Sequence, residues 1–207
     1  LIREMLEAGG RPDPRTVHYL DRCLSCLGCN TTCAVSIDYM HLIDAARVHI
    51  ERTYRRPLAE RAARALISAT IPYPGRLRAS LALARLARPV RKALPKQLAA
   101  MLDMAPEMAP PPGKRPEGVW PAEGTRTRRV ALLAGCAQRV LDPAINEATI
   151  RLLTRMGCEV VVPGDAGCCG ALTLHMGRDG QGRAQAARVL RTLHREHERE
   201  AIDAFVI

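Results

Sequence analysis

The stretch Cys23-Leu-Ser-Cys26-Leu-Gly-Cys29-Asn-Thr-Thr-Cys33 decides how the first part of this chain folds. Its cysteines follow the spacing C-x2-C-x2-C-x3-C, in which the short gaps let one tight turn aim three sulfurs at a single centre. This spacing is typical of thiolate ligands to a [4Fe–4S] cluster, which takes three thiolates from one loop and a fourth from elsewhere. The stretch therefore predicts a cluster-binding loop and a role in electron transfer.

The last cysteine of this stretch indicates a second cluster. In two-cluster ferredoxins of the bacterial type, the fourth cysteine of each run ligates the other cluster. We therefore predict that Cys23, Cys26 and Cys29 hold one [4Fe–4S] cluster and that Cys33 ligates another. A zinc knuckle is the alternative, although zinc sites usually combine a C-x2-C pair with a distant second pair.

The two ends of the chain suggest a piece of a longer protein. The chain opens at Leu1 without an initiator methionine and stops within the apolar run Ala204-Phe-Val-Ile207. We therefore expect an internal fragment. A second ferredoxin run is then expected in the missing part.

The composition indicates the compartment of the protein and the kinds of partner it can bind. Eight cysteines without a signal-peptide pattern indicate the cytoplasm, a reducing compartment where clustered cysteines are more often metal ligands than disulfides. No apolar stretch approaches the roughly 20 residues that span a bilayer. The net charge of +10 is compatible with an acidic partner or an anionic membrane surface, but solvated arginine side chains are the simpler explanation. Because only 3% of the residues are aromatic, little stacking on nucleic-acid bases is expected.

Changes in composition predict three parts of the chain. Residues 1–57 form the second half of a ferredoxin-type domain, in which a helix from about Met40 to Thr53 supports the cysteine loop. Residues 58–128 begin with two or three short helices and continue, from Ala105 to Thr127, as a linker rich in proline and glycine. Residues 129–207 are the third part.

The third part alternates between strand and helix. Strands are predicted at 129–134, 159–163 and 204–207, and helices at 142–156 and about 183–203. Asp142 is expected to cap the first of these helices, and Gly177–Gly182 is interpreted as a turn before the second. The order β-α-β-α-β indicates a Rossmann-like layer, truncated at its C-terminus. The predicted fold class is therefore α + α/β: a helical cluster domain, a helical and proline-rich connector, and this layer.

A second group of cysteines follows two neighbouring strands of the predicted layer. Cys136 comes just after the first strand, and Cys168-Cys169-Gly170 just after the second. Because the carboxyl ends of parallel strands meet at one edge of a sheet, the three thiols are predicted to converge on a metal. Cys158 is interpreted as a buried, inert thiol, and His175 as a loop histidine that hydrogen-bonds backbone.

These motifs resemble a known family. Cys136 followed by Cys168-Cys169-Gly170 resembles the first part of the cysteine-rich "CCG" domain of heterodisulfide reductase and related iron–sulfur subunits. Over nearly the whole chain the sequence is similar to the glycolate oxidase (glycolate dehydrogenase) iron–sulfur subunit family. Besides the cysteine run, the resemblance is carried by Asp38-Tyr-Met-His-Leu, Tyr73-Pro-Gly-Arg, Leu141-Asp-Pro-Ala-Ile-Asn146 and Gly167-Cys-Cys-Gly-Ala-Leu172. Ala34 departs from the family, in which proline usually follows the fourth cysteine.

The resemblance implies cofactors and partners. It implies two [4Fe–4S] clusters in the complete ferredoxin domain, and a further iron–sulfur cluster or zinc at the CCG site. It implies FAD-containing glycolate oxidase subunits as partners, on which glycolate is oxidised to glyoxylate, so that this chain carries electrons and has no catalytic residue of its own. Peripheral contact with the cytoplasmic face of the inner membrane, or with its quinone pool, belongs to the same expectation.

Two other classes of function remain open at this point. The first keeps the clusters and changes the enzyme: a heterodisulfide-reductase-like, lactate-utilisation or anaerobic glycerol-3-phosphate dehydrogenase iron–sulfur subunit. The second is a zinc-binding interaction module without redox activity, for which the basic helices are the best argument. Assays with each electron donor, and the metal content, distinguish these classes.

Overall fold

A computed structural model describes residues 1–106 and 116–207 of the chain. Its backbone divides into two compact units, which are described separately. The first unit comprises Leu1–Arg64 together with Gly170–Ala184, and the second comprises Ala65–Cys169 together with Gln185–Ile207. The three-part division at residues 57 and 128 remains a prediction.

The first unit is helical and is built around one long helix. Its N-terminal elements are α1 (Ile2–Ala8), α2 (Pro14–Asp21), α3 (Gly28–Thr32), α4 (Tyr39–Thr53) and the first half of α5 (Leu58–Thr70). The predicted helix from about Met40 to Thr53 is confirmed as α4. Buried apolar side chains of α1, α2 and α4 form the core of this unit: Met5, Val17, Leu20, Ile43, Ala46 and Ile50. The helix α4 therefore has one face in the core and its first turn beside the cysteine loop.

The segment Gly170–Ala184 packs against α4 within the first unit. It contains α10 (Ala171–His175) and the start of α11 (Asp179–Arg199). The turn predicted at Gly177–Gly182 is therefore wrong in its second half, because α11 begins at Asp179. Gly182 lies inside this helix, where it packs closely on α10: a Cβ there would sit 3.0 Å from the backbone nitrogen of Leu174. A glycine pattern that reads as a turn thus reflects close packing of two helices.

The second unit begins with further helices. These are the rest of α5, α6 (Pro74–Ala87), a 3₁₀ helix (Arg88–Ala93) and α7 (Lys96–Met104). The prediction of two or three short helices is confirmed, with proline at the first position of α6 and at the second position of the 3₁₀ helix. Residues 107–115 of the predicted linker lie outside the described residues.

A four-stranded mixed sheet lies in the second unit, in the order β1-β3-β2-β4. The strands are β1 (Gly118–Trp120), β2 (Arg128–Leu132), β3 (Cys158–Val162) and β4 (Ala204–Val206). Both β3 and β4 pair with β2 in parallel, whereas β1 pairs with β3 antiparallel. The sequence did not predict β1, because three residues between Pro116 and Pro121 are too short to show a strand pattern.

The remaining helices connect these strands in the predicted order. They are α8 (Gln138–Leu141), α9 (Pro143–Arg155) between β2 and β3, and α11 between β3 and β4. Asp142 precedes α9 as expected, but its side chain makes no capping hydrogen bond. The predicted fold class, α + α/β, is confirmed. Among the helices of residues 1–106 and 116–207, none is both long enough and apolar enough to cross a membrane.

Candidate metal centres

The cysteine run lies in an irregular loop of the first unit. Cys23 and Cys33 are half-buried, and Cys26 and Cys29 are exposed. Ser25 and Leu27 have φ values of 53° and 56°, in the left-handed region that residues with a Cβ seldom adopt. These two residues turn the backbone between the cysteines, so the short gaps of the motif are matched by a tightly curved chain.

Two side chains hold this loop: Arg47 from α4 and Asn30 from within the run. The Arg47 guanidinium donates from Nη1 to Ser25 Oγ at 2.5 Å and from Nη2 to the Cys23 carbonyl at 2.6 Å. Asn30, inside α3, accepts a hydrogen bond from the backbone nitrogen of Tyr39 at 3.1 Å. This second bond satisfies a free N–H at the start of α4, so helix and loop fix each other.

The surroundings of Cys33 favour a thiolate. Its Sγ accepts a hydrogen bond from the backbone nitrogen of Ile37 at 3.5 Å. This N–H lowers the pKa of Cys33 below its ordinary value, and the N–H groups of Val35 and Ser36 act in the same direction. At Tyr39, burial and then the neighbouring Cys23 raise the pKa of the phenol. Backbone donors aimed at a sulfur suit a metal-bound thiolate, because a ligating cysteine must be deprotonated.

The residues of the run fit an iron–sulfur cluster. The donor set consists of thiolates alone, with cluster spacing, and one sulfur already receives an N–H donor. In the described ranges, no three histidine, cysteine, aspartate or glutamate side chains are grouped closely enough to hold a single metal ion. A cubane places each thiolate on a different iron, so its ligands need not converge on one atom.

The second group of cysteines belongs to the second unit. Cys136 follows β2, Cys168 follows β3, and their Sγ atoms are 3.8 Å apart. Four sulfurs placed tetrahedrally at about 2.3 Å from one ion are separated by about 3.8 Å, so the pair has the spacing of two ligands to one metal. Cys168 is buried, Cys136 half-buried and Cys169 exposed. The structure thus brings together two of the three predicted thiols.

The loop that carries Cys136 is fixed by a buried amide that the sequence did not identify as a positioning residue. Asn146, on α9, is only 3% exposed. Its Nδ2 donates to the carbonyl of Ala134, and its Oδ1 accepts from the Gln138 side chain, both at 2.9 Å. One side chain therefore bridges both sides of Cys136. A polar residue on the inward face of an otherwise amphipathic helix was the available signal.

Two arginines of α11 hold the loop that carries Cys168. Arg188 donates from Nε to the carbonyl of Asp165 at 3.1 Å, and Arg195 pairs with the carboxylate of the same residue. Gly167 has a φ of 73°, so the backbone bends just before Cys168. Cys158 is buried in the core of this unit, as predicted.

His175 has a partner within the first unit. Its Nδ1 is 3.3 Å from a carboxylate oxygen of Asp44 on α4. The predicted backbone hydrogen bond is therefore replaced by a side-chain contact, which ties α10 to α4.

One segment of the chain matches a known domain family. Residues 130–203 match the model of the cysteine-rich domain family called CCG. This segment contains most of β2, all of α9, β3 and α11, and the cysteines Cys136, Cys168 and Cys169. In this segment the chain is therefore similar to the cysteine-rich domains of that family.

Individual relatives are similar over most of the chain. The glycolate oxidase iron–sulfur subunit of Escherichia coli K12 is 38% identical over 186 residues, which are 90% of this chain and 42% of that protein. The probable glycolate oxidase iron–sulfur subunit of Bacillus subtilis 168 is 30% identical over 202 residues, 90% of this chain and 45% of the relative. Lactate utilization protein A of an Exiguobacterium species is 33% identical over 63 residues, 30% of this chain and 26% of that protein.

These comparisons confirm the resemblance to the glycolate oxidase iron–sulfur subunit family. The chain spans less than half the length of either glycolate oxidase relative. No solved structure matches the chain.

Proposed function

We propose that this chain is part of an iron–sulfur subunit of an oxidoreductase, which accepts electrons from a flavin subunit that oxidises glycolate to glyoxylate. The observation that carries this proposal is the presence, in one chain, of a ferredoxin-type cysteine run and a CCG domain, in a sequence similar to two glycolate oxidase iron–sulfur subunits. A zinc-binding module does not account for this combination. The location we propose is the cytoplasm, including the cytoplasmic face of the inner membrane.

The residues of the cysteine run bind and tune the group that moves electrons. Cys23, Cys26 and Cys29 are proposed to hold one [4Fe–4S] cluster, and Cys33 to ligate a second that is completed by other parts of the protein. Such a cluster supplies one-electron transfer. The loop around it supplies backbone N–H donors to the sulfurs, such as that of Ile37 to Cys33. Acid–base chemistry on glycolate is left to the flavin subunit.

The CCG domain is proposed to hold a further metal group. Cys136 and Cys168 are already at ligand spacing, and Cys169 is the third proposed ligand. Thiolates serve both iron–sulfur clusters and zinc, so the donor set is compatible with either. Metal analysis of a protein in which the ferredoxin cysteines are replaced by serine tells the two apart.

The primary test uses the complete natural polypeptide, purified anaerobically. We expect iron and labile sulfide, visible absorption, and an EPR signal after reduction with dithionite. Cys26→Ser is expected to reduce the cluster content, whereas Cys158→Ser, which changes a buried thiol outside both groups, leaves it unchanged. A folded, colourless protein without iron contradicts the proposal. Bound zinc without absorption supports an interaction module instead.

The substrate is tested separately, together with the flavin subunits. Glycolate is expected to reduce the clusters of the assembled complex, and a quinone analogue to reoxidise them. A second candidate is an iron–sulfur subunit of a lactate-oxidising system, favoured by the similarity of 63 residues to lactate utilization protein A. Faster cluster reduction by lactate than by glycolate identifies that candidate, and glycerol 3-phosphate and a disulfide serve as further comparison substrates.

A further inference from the structure

Arg47 is a buried cation that lies directly against the cysteine loop. It is only 9% exposed, although arginine side chains usually reach solvent. Its guanidinium spans two acceptors of the loop: the hydroxyl of Ser25, between the first two cysteines, and the carbonyl of Cys23. Both distances, 2.5 and 2.6 Å, are those of strong, charge-assisted hydrogen bonds.

These two hydrogen bonds stabilise an unfavourable backbone conformation at Ser25. Ser25 has a φ of 53°, which an L-residue with a Cβ adopts only when its surroundings impose it. The guanidinium presents its donors in one rigid plane, so it binds both acceptors at once. A lysine has a single ammonium on a flexible stem, which makes it a poor substitute for this bridge.

The positive charge of Arg47 is not neutralised by a carboxylate in the described part of the chain. Both of its hydrogen-bond acceptors are neutral groups. Arg56 in the same unit shows the contrast, because its guanidinium pairs with Asp21 at 2.6 Å and also with Glu60. The uncompensated charge therefore acts on whatever the neighbouring thiolates hold.

We propose that Arg47 is a positioning residue that fixes the loop of Cys23 and Cys26 and raises the reduction potential of the cluster bound there. The inference rests on the proposed function. Reduction adds one negative charge to a cluster that thiolates have already made anionic, and a nearby buried cation stabilises the reduced form. Hydrogen bonds from Arg47 to the loop keep that cation at a fixed place.

The test is an EPR-monitored redox titration of the complete polypeptide carrying Arg47→Gln. We expect the equilibrium constant for one-electron reduction of one cluster to fall at least tenfold, which corresponds to a midpoint about 59 mV more negative. Arg47→Lys keeps the charge, so its midpoint is expected to stay close to wild type. Because lysine makes a poorer bridge, the lysine variant is expected to lose its cluster faster to an iron chelator.

The matched control is Arg52→Gln, which removes the same charge from the same helix. Arg52 is 65% exposed and pairs with Asp179, so its removal is expected to leave every midpoint unchanged. An equal shift in Arg47→Gln and Arg52→Gln, or no shift in the former, overturns the inference. If Arg47→Gln retains no cluster, the Arg47→Lys variant is used instead. A lysine variant that loses its cluster to the chelator no faster than wild type overturns the positioning role. If the wild-type protein contains no iron, the proposed function itself is contradicted. That outcome differs from failure of the Arg47 inference, in which the wild-type protein holds its clusters but the Arg47 variants behave like the controls.

Discussion

Asn146 is a buried side chain of the second unit that fixes the position of Cys136, a candidate metal ligand. Its amide uses both ends, as donor to Ala134 and as acceptor from Gln138, on either side of Cys136. An apolar replacement would leave the carbonyl of Ala134 buried without its amide donor. The position of Cys136 therefore depends on a residue ten places further along the chain.

Asn146→Leu is expected to lower the free energy of unfolding by about 1–3 kcal/mol, the usual cost of a buried polar group that loses its partner. Urea denaturation followed by circular dichroism measures this. Thr149→Ala on the same helix is the control, because the Thr149 hydroxyl donates to the carbonyl of Ile145 within α9 and makes no hydrogen bond to the loop of Cys136 in the described residues. Equal stability of the two variants would show that the Asn146 bridge contributes nothing.

The spacing of the cysteines could be read from the sequence, whereas the residues that hold them could not. The spacing of cysteines is a property of the sequence itself, so all seven proposed ligands were predicted without a structure. Arg47 contacts residues 22 and 24 positions away, and such a pairing exists only after α4 has packed on the loop. Asn146 is close in sequence to its partners, but an asparagine in a helix is commonly a surface residue.

The contact between α4 and the segment Gly170–Ala184 depends on a glycine. Gly177 has a φ of 79°, and a Cβ there would overlap the backbone carbonyl of Arg47. The two residues that follow Gly177 also bind α4, through ion pairs of Arg178 with Glu51 and of Asp179 with Arg52. The backbone of the segment can therefore approach α4 only where no side chain intervenes.

Gly177→Ala is expected to destabilise the first unit by more than 1 kcal/mol or so, since both its φ and its contact exclude a Cβ. Gly180→Ala, three residues later in α11, has no atom within 4 Å of the added Cβ and is expected to be neutral or slightly stabilising. Thermal unfolding of the two variants provides the comparison. Equal melting temperatures contradict the close contact.

Arg56 joins α2 to α5 through its ion pairs. It follows α4 and contacts Asp21 at the end of α2 with two hydrogen bonds, of 2.6 and 3.0 Å, and Glu60 in the first turn of α5. Burial alone would lower the pKa of Arg56, but Asp21 and Glu60 raise it above its ordinary value. The guanidinium is therefore charged at every accessible pH, and the network does not titrate through it.

Arg56→Met is expected to cost about 2 kcal/mol of stability, less than for a fully buried ion pair because both carboxylates are partly exposed. Arg55→Met, at the neighbouring exposed position, is expected to change stability by less than about 0.5 kcal/mol. Chemical denaturation of both variants tests the difference. A similar, small effect of the two changes would mean that the network is not stabilising.

Metal removal is expected to affect the two units of the molecule differently. The helix α3 has no buried residues, so the loop around it gains little from apolar burial and depends on ligand bonds for its order. The sheet, in contrast, has a core of its own that includes Val130, Val160 and Val162. Iron extraction is therefore expected to increase amide hydrogen exchange in residues 23–39 much more than in β2 and β3.

Hydrogen exchange followed by mass spectrometry, on the complete polypeptide before and after chelation, checks this expectation. Unchanged protection of residues 23–39 after loss of iron contradicts it. A uniform increase over the whole chain would show instead that cluster loss unfolds the entire molecule.

The arrangement of strands and helices was largely predictable, but the division into units was not. The apolar runs and the glycines and prolines between them indicated β-α-β-α-β, and the pairing of β2 with β3 and β4 agrees with that order. Short elements such as β1 carry too little pattern to be recognised. The place of residues 170–184 depends on packing against α4, which no local pattern encodes.

The discontinuous first unit has a consequence for synthesis on the ribosome. Residues 1–64 emerge more than a hundred residues before Gly170–Ala184, which belong to the same compact body. During that interval Glu51 lacks Arg178, and the carbonyl of Arg47 lacks the glycine that covers it. A nascent chain must therefore carry an unfinished cysteine-bearing unit through translation of most of the second one.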